Sequence, residues 1–319
     1  MAKATGTYTT GDAKGLREDL TDMIYNITPT KTPLMQLAGR GKADALLHEW
    51  QIDTLADPDT TNAQPEGNVA SFATPAATQR VGTYVQISDK TALVSGSLEA
   101  VSKAGRKKEM AYQMSKRSKE LKRDIEKIAL ANQAAVGSDP RKTAGLPAWL
   151  KTNTVFVTAD GEDPDYTTLP DDARTDATTP VTFTEAMLQS AVELSWDEGA
   201  EPSILMAGAF NKHQVSTFDG IATQTMNLNQ AKPGTIIGSA DVYVSEFGNL
   251  KVVPNRYQRT RDVFGLDPEF ISFIYLRGFH SEKLAKDGDA ERRIVRAEWG
   301  LKIHNEAAHF GIYDLTAAA

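Results

Sequence analysis

Two segments of this chain alternate strictly between apolar and polar positions. In "LLHEWQIDTL", Leu46, His48, Trp50 and Ile52 fall on one side, and Glu49, Gln51 and Asp53 on the other, which predicts a half-buried strand. In "RVGTYVQISDKTALV", Val81, Thr83, Val85 and Ile87 share one face of a second strand. The stretch between them, "ADPDTTNAQPEGNVASFATPAATQ", is rich in Pro, Thr, Ala and Asn, with Phe72 its only aromatic residue. So long a connection inside a compact domain is rare unless it is functional or disordered. Two strands flanking it predict a long two-stranded arm that projects from the body. An isolated ribbon is marginal in water, so this one is expected to lie on something.

A different period follows. From Arg106 to Val136 no Gly or Pro occurs, and Gly137 with Pro140 supplies a stop. The spacing predicts one helix of about 45 Å, with Ser97 capping a short turn before it. Its apolar seam is Met110, Met114, Leu121, Ile125, Ile128 and Ala135. Glu120 with Arg123 and Asp124 with Lys127 have the spacing of intrahelical pairs. Nearer the N-terminus, Leu16, Leu20 and Ile24 predict a short helix followed by an extended run, and Pro33 ends any helix before it. Downstream, "TFTEAMLQSAVELSWDEG" reads as an amphipathic helix capped by Thr184, with Met187, Ala191 and Leu194 on one face. "SILMAG" reads as a buried strand and "DVYVSEFGNLKVVPN" as a hairpin turning at Gly248 and Asn249. The strands in "FISFIYLRGFHSEKL" and "RRIVRAEWGLKIH" are joined through an Asp287-Gly288 turn.

Charge adds a contrast. Gly105 to Gln133 holds nine Lys or Arg against four Asp or Glu, in a chain of 319 residues with net charge -7. Val157 to Pro202 holds twelve acidic residues and one basic, Arg174. The mixed signs on the helix fit a solvated face better than a phosphate track, and Tyr112 is its one aromatic, too few for stacking on single strands. A third reading has the basic helix meeting acidic surface on a neighbouring chain. The acidic run reads as surface loop, with carboxylates too exposed to have their pKa values pushed apart.

Candidate chemistry is sparse. Zero cysteines exclude disulfides, thiolate nucleophiles and Cys-ligated zinc. "AGRGKADA" lacks the spacing of a phosphate-binding loop, and no Gly-x-Ser-x-Gly elbow occurs. His304 and His309 in "HNEAAH" are five apart, not one helical turn, so structural histidines or a hydrogen bond to Glu306 are expected in place of a metal site. No catalytic constellation, metal or cofactor is implied. The opening "MAKATGTYTTGDAKG" has neither a secretory nor a transit pattern and reads as a mobile polar arm. "FISFIYL" is too short to cross a membrane, and a soluble protein is expected.

The order of these parts resembles the major capsid protein fold of tailed bacteriophages, shared by herpesvirus shells. The segments "REDLTDMIYNITPTKTPLMQLAGRGKA", "HEWQIDTL", "EGNVASFATP", "RVGTYVQISDKTALVSG", "AGLPAWLKTN" and "ERRIVRAEWGLKIHNEAAHFGIYDL" are similar to one sub-family of such proteins. The acidic stretch from Asp160 to Asp176 has no counterpart in that pattern. The resemblance implies an α+β fold: an N-terminal arm (1–44), an extended β-ribbon loop (45–96) and the spine helix of a peripheral domain (97–150). An axial domain (151–255) and closing peripheral strands (256–319) follow. It implies that Trp50, Pro58, Pro65, Phe72, Pro75 and Tyr84 of the extended loop make assembly contacts over an adjacent subunit. Met110, Met114, Leu121, Ile125 and Ile128 become the spine's core stripe, and Lys116, Arg117, Lys119, Lys122 and Arg123 its basic face, turned to solvent, neighbours or genome.

The implied function is a structural shell: pentamers and hexamers closing around double-stranded DNA in a virion, from protein made in the host cytoplasm. Implied partners are further copies of the chain, a separate scaffolding protein, a portal and a decoration protein, with DNA touched weakly and no membrane. The separate scaffold is expected because no long charged helical segment precedes Gly15. Some members of the fold link subunits through a lysine in the extended loop, but no Lys occurs between Lys42 and Lys90, so non-covalent contacts are expected. The rival readings are a cellular nanocompartment shell of the same fold and a nucleic-acid-binding protein using the basic helix.

Overall fold

The computed structural model describes residues 28–69, 72, 74–103, 105–156, 160–218 and 241–316. The helix expected around Leu16, Leu20 and Ile24 lies outside the described residues.

The ribbon is two antiparallel strands, β2 (Leu47–Ile52) and β3 (Gln79–Tyr84), with Trp50 opposite Val81. A first sheet of four strands runs in the order β1 (Gly39–Lys42), β10 (Ile271–Lys283), β11 (Ala290–Ile303), β4 (Gln86–Ser95). Strands β10 and β11 form the hairpin the Asp287-Gly288 turn predicts, with Gly288 at φ 79°, a conformation that favours glycine. The would-be phosphate loop at Gly39 is simply strand β1, parallel to β10.

Helix α3 (Glu109–Ala129) crosses this sheet. Met110, Met114, Leu121 and Ile125 are buried with Ala92, Val94, Val295, Ala297 and Leu301 in one core, and Ile128 packs against it half-buried. The helix is shorter than the Gly-free run, 21 residues or about 32 Å. It starts late because the Glu99 carboxylate, projecting from α2 (Gly96–Ala100), accepts the amide N–H of Glu109 at 3.0 Å and of Met110 at 3.3 Å. It stops early because Asn132 and Gln133 turn the chain aside. Asn132 exchanges hydrogen bonds with the Arg174 backbone, and Gln133 donates to the Thr143 carbonyl at 2.7 Å. Ala135 is buried, but beyond the helix.

A second sheet has six strands: β5 (Thr154–Val155), β12 (Phe310–Ile312), β9 (Val263–Leu266), β6 (Ile204–Ala207), β8 (Gly248–Pro254) and β7 (Val242–Ser245), in that order. Helix α4 (Glu185–Asp197) packs on it through Met187, Leu188, Ala191 and Val192, against Leu205, Val252, Phe310 and Ile312. All four residues of central β6 are buried, as its unbroken apolar run predicts. Gly265 in β9 is required by close approach, since a Cβ there would stand 1.9 Å from the Phe310 ring. The chain returns to this sheet late, because β9 and β12 follow residue 255 in sequence.

Several local expectations are corrected. The run from Val81 to Val94 is two strands in two sheets, β3 in the ribbon and β4 in the first sheet, and its buried phase shifts at Val85. Val81, Thr83 and Val85 are buried, Ile87 is exposed, and Ala92 and Val94 face the core instead. The cap before α2 is Ser95 rather than Ser97, its hydroxyl accepting the Leu98 N–H. The hairpin turns at Glu246 and Phe247, two residues before Gly248 and Asn249. Thr184 does cap α4, but Leu194 is exposed while Ser195 is buried. Glu120 pairs with Arg117 at 2.7 Å and Asp124 with Lys90 at 2.6 Å, not with the helical neighbours their spacing offered.

Candidate assembly surfaces

The root of the ribbon is fixed from inside the chain. Trp50 tilts against Trp149 with ring centroids 5.6 Å apart and donates its Nε1–H to the His304 carbonyl at 3.0 Å. Lys302 Nζ stands 4.8 Å above the Trp50 ring and 3.4 Å from His48 Nε2. Burial lowers the Lys302 ammonium below its ordinary value, and burial with the nearby Lys302 charge does the same for His48. Tyr84 lies against the first core, its ring so close to Gly137 that a Cβ there would meet it at 2.6 Å. A cavity of about 230 Å³ opens beside this root, between Ile52, Val81, Trp149, Tyr166, His304 and Glu306.

The tip is the opposite. Pro58, Pro65, Phe72 and Pro75 are all exposed, with Phe72 at 97%, Leu55 at 97% and Val69 at 87%. Nothing described in the chain covers these apolar side chains. The six extended-loop residues therefore divide: Trp50 and Tyr84 anchor the ribbon to its own body, and the other four present a free surface.

On the outer side of α3, Lys116, Lys119 and Lys122 are exposed, while Arg117 and Arg123 are half-buried. Arg117 is engaged by Glu120, Arg123 lies 5.8 Å over the Tyr257 ring and Lys122 5.8 Å over the Phe279 ring. Two of the helix's four acids are not on its surface. Glu109 is buried against Arg106 and Gln113. Glu126, wholly buried, accepts the N–H of Leu34 at 2.7 Å, of Met35 at 2.9 Å and the Asn255 amide at 2.7 Å. It caps α1 (Pro33–Leu37), whose own N-cap Thr32 makes no side-chain bond, and ties spine, arm and second sheet at one point. Burial raises its carboxyl above the ordinary range, against the three hydrogen bonds. Sequence reasoning placed Glu126 among the solvated charges; its position flanking Ile125 was the available signal.

The acidic stretch is not a loose loop. Arg174, only 3% exposed, lies 3.5 Å over the Tyr313 ring and pairs with Asp163. Arg259 pairs with Asp176, and Arg261 with Asp314 at 2.9 Å. Burial raises the Asp163 carboxyl, contrary to the expectation that nothing there shifts a pKa. Thr168 accepts the Gly82 N–H at 2.9 Å, so the stretch also braces β3.

The two close histidines are structural. His309, buried, accepts the Asp267 N–H at Nδ1, and burial drives its pKa down to about 4. His304 contacts Ser272 at 3.1 Å, and Glu306 serves Lys151 and Thr152 in place of either histidine. Among the described residues no group of three or more His, Asp or Glu is placed to hold a metal, and no helix is long and apolar enough to cross a membrane.

A spine helix across one sheet, a second sheet entered twice and an apolar-tipped ribbon define the tailed-phage capsid fold, a class of shell-forming protein. Residues 3–316 match the family described as the SU10 major capsid protein, and the chain belongs to that family. It is 26% identical over 336 aligned positions to the major capsid protein of Escherichia phage Phieco32, covering 93% of this chain and 94% of that one. The fold also matches the capsid asymmetric unit of cyanophage A-1(L), with a TM-score of 0.70 at 10% identity over 97% and 98% of the two chains. The SrpI encapsulin complex of Synechococcus elongatus PCC 7942 matches at 0.56 and 9% identity, over 96% of this chain and 94% of that one. This chain is a major capsid protein of the phage type.

Proposed function

We propose that the chain assembles into pentamers and hexamers that close into an icosahedral shell around double-stranded DNA. Weak heterologous contacts repeated around rings, with slight non-equivalence between rings, close such a shell. The observation that carries the reading is the ribbon tip: a ribbon held rigidly at its root carries Phe72, Leu55 and Val69 into open solvent, where they await another surface. Pro58, Pro65, Phe72 and Pro75 are the assembly contacts, on an adjacent copy. The first sheet with α3 is the peripheral domain, and the second sheet with α4 the axial domain, to which β9 and β12 now belong. Lys116, Lys119 and Lys122 meet neighbours or genome by weak, sequence-independent contact. A scaffolding protein, a portal and a decoration protein complete the particle, which is built in the host cytoplasm, and the chain performs no catalysis.

The testing experiment is electron microscopy of the purified, nuclease-treated protein with light scattering on the same sample. Closed shells or free pentamers and hexamers are expected. A monomer that a scaffolding protein fails to assemble would sink the reading. The likeness to an encapsulin favours one second reading, a nanocompartment holding an enzyme. Cargo separates them: long double-stranded DNA for the capsid, one enriched protein for the nanocompartment.

A further inference from the structure

Where the acidic stretch meets the C-terminal segment, three guanidiniums face four carboxylates: Arg174, Arg259 and Arg261 against Asp163, Asp176, Asp262 and Asp314. Three of the carboxylates are well served. Asp163 takes Arg174 and the Thr154 hydroxyl, Asp176 takes Arg259, and Asp314 takes Arg261 and the Ala177 N–H at 2.8 Å. Asp262 is different. It is fully buried, its nearest cation is Arg259 Nη1 at 3.3 Å, and neither carboxylate oxygen accepts a hydrogen bond among the described residues. The guanidinium beside it is already committed to Asp176 through its other nitrogen.

Asp163 and Asp176 keep part of their side chains in solvent, and Lys151 also acts on Asp163, whereas Asp262 has neither solvent nor, among the described residues, a hydrogen bond, and an uncompensated charge in an interior is strongly disfavoured. One proton removes that charge. The carboxyl with no hydrogen bond to lose is the one that takes it.

We propose that Asp262 is a proton-operated switch: protonated, it lets the acidic stretch clamp onto the second sheet; ionised, it loosens that clamp and the ribbon root braced by it. The groups facing it come from every side. Arg174 and Asp176 belong to the acidic stretch, Arg259 to its own loop, and Asp314 to the C-terminal segment beside the buried Tyr313. Burial pushes the Asp262 carboxyl up to about 7, with Asp176 and Asp314 acting in the same direction and Arg259 and Arg174 opposing. The clamp reaches the ribbon by short steps. Arg259 holds Asp176, Arg174 holds Asp163, and between these the backbone carbonyls of Thr167 and Thr168 accept from Gln79 Nε2 at 2.5 Å and Gly82 N at 2.9 Å.

The sign follows from linkage. The folded chain holds a proton at Asp262 that the unfolded chain, with an ordinary aspartate, has lost. This contribution is full below the unfolded value, falls as pH rises from about 4 to about 7, and is gone above it. The test compares the purified full-length chain with Asp262→Asn, a neutral isostere of the protonated acid. Thermal unfolding and amide exchange are followed from about pH 5 to about 8.5. The ratio of wild-type to variant unfolding constants is expected to rise about tenfold per pH unit between about 5 and 7. Above neutrality the variant should melt higher than wild type, and the Gly82 and Thr175 amides should lose protection in wild type alone. Parallel curves for the two proteins would overturn the proposal.

An infrared titration keeps the idea falsifiable if Asp262→Asn does not fold. A protonated-carboxyl band should persist to neutral pH in wild type and vanish at lower pH in Asp176→Asn, which removes a neighbouring negative charge and frees Arg259. A band lost by about pH 5.5 in wild type, or one that Asp176→Asn leaves unmoved, would equally overturn it.

Discussion

Glu126→Ala tests whether the arm, the spine and the second sheet are joined where they meet. The wild-type carboxylate accepts three hydrogen bonds, from Leu34, Met35 and Asn255, at 2.7, 2.9 and 2.7 Å. Truncation leaves three buried donors without an acceptor, at about 1–3 kcal/mol each. Against that, the variant no longer desolvates a carboxylate that has no cation among its partners, which returns part of the loss. A net destabilisation of about 3 kcal/mol follows. With an unfolding entropy of about 2 cal/mol/K per residue over 319 residues, the melting temperature should fall by about 4–5 °C. Burial raises the Glu126 carboxyl above its ordinary 4.5, so folding takes up a proton just above that pH. Wild type should lose stability as pH climbs through the window, and Glu126→Ala should not. Calorimetry measures both effects, and exchange at the Leu34 and Met35 amides localises them. A shift of less than about 1 °C with unchanged exchange at those amides would refute the joint.

Four further outcomes are expected. Leu121→Ala empties a fully buried position on the spine stripe and should cost about 3–5 kcal/mol in denaturant titration. Trp50→Ala removes both the Trp149 contact and the bond to His304; it should raise amide exchange throughout β2 while α4 stays protected. Phe72→Ser, at a fully exposed site, should leave the melting temperature within about 1 °C yet reduce the yield of closed shells by light scattering. Because no Lys lies between Lys42 and Lys90, mature particles should run as a single monomer band on a denaturing gel; a ladder of covalent oligomers would contradict this.

Elements whose periodicity answers to one neighbour were legible in the sequence. The ribbon strands, the buried β6 and the β10–β11 hairpin each follow from alternation, an unbroken apolar run or an Asp-Gly turn. The seam from Met110 to Ile125 likewise points into the core as its spacing requires. What was not legible depended on residues far away in sequence. The start of α3 is set by Glu99 and its end by Asn132 reaching Arg174, while the absence of Gly and Pro only allowed a longer helix. The phase shift at Val85 exists because the chain changes sheets there, and no local property of Val85 announces it. Composition misled most in the acidic stretch. Asp163 and Asp176 look solvated until Arg174 and Arg259, the latter from over eighty residues away, are brought in to meet them. The ribbon was readable as a long projecting arm, but the inward role of Trp50 and Tyr84 needed Trp149 and Gly137 in place.

The change of sheet at Val85 has a mechanical meaning. Strand β3 stays on the body beyond that residue, with Val81 and Thr83 buried and Gly82 held by the Thr168 carbonyl, so the ribbon comes free only past Gln79. On the other side of Val85, β4 is hydrogen-bonded along its full run to β11. A pull on the exposed tip is therefore carried along one continuous strand of backbone into the first sheet, where the ladder between β4 and β11 takes the load.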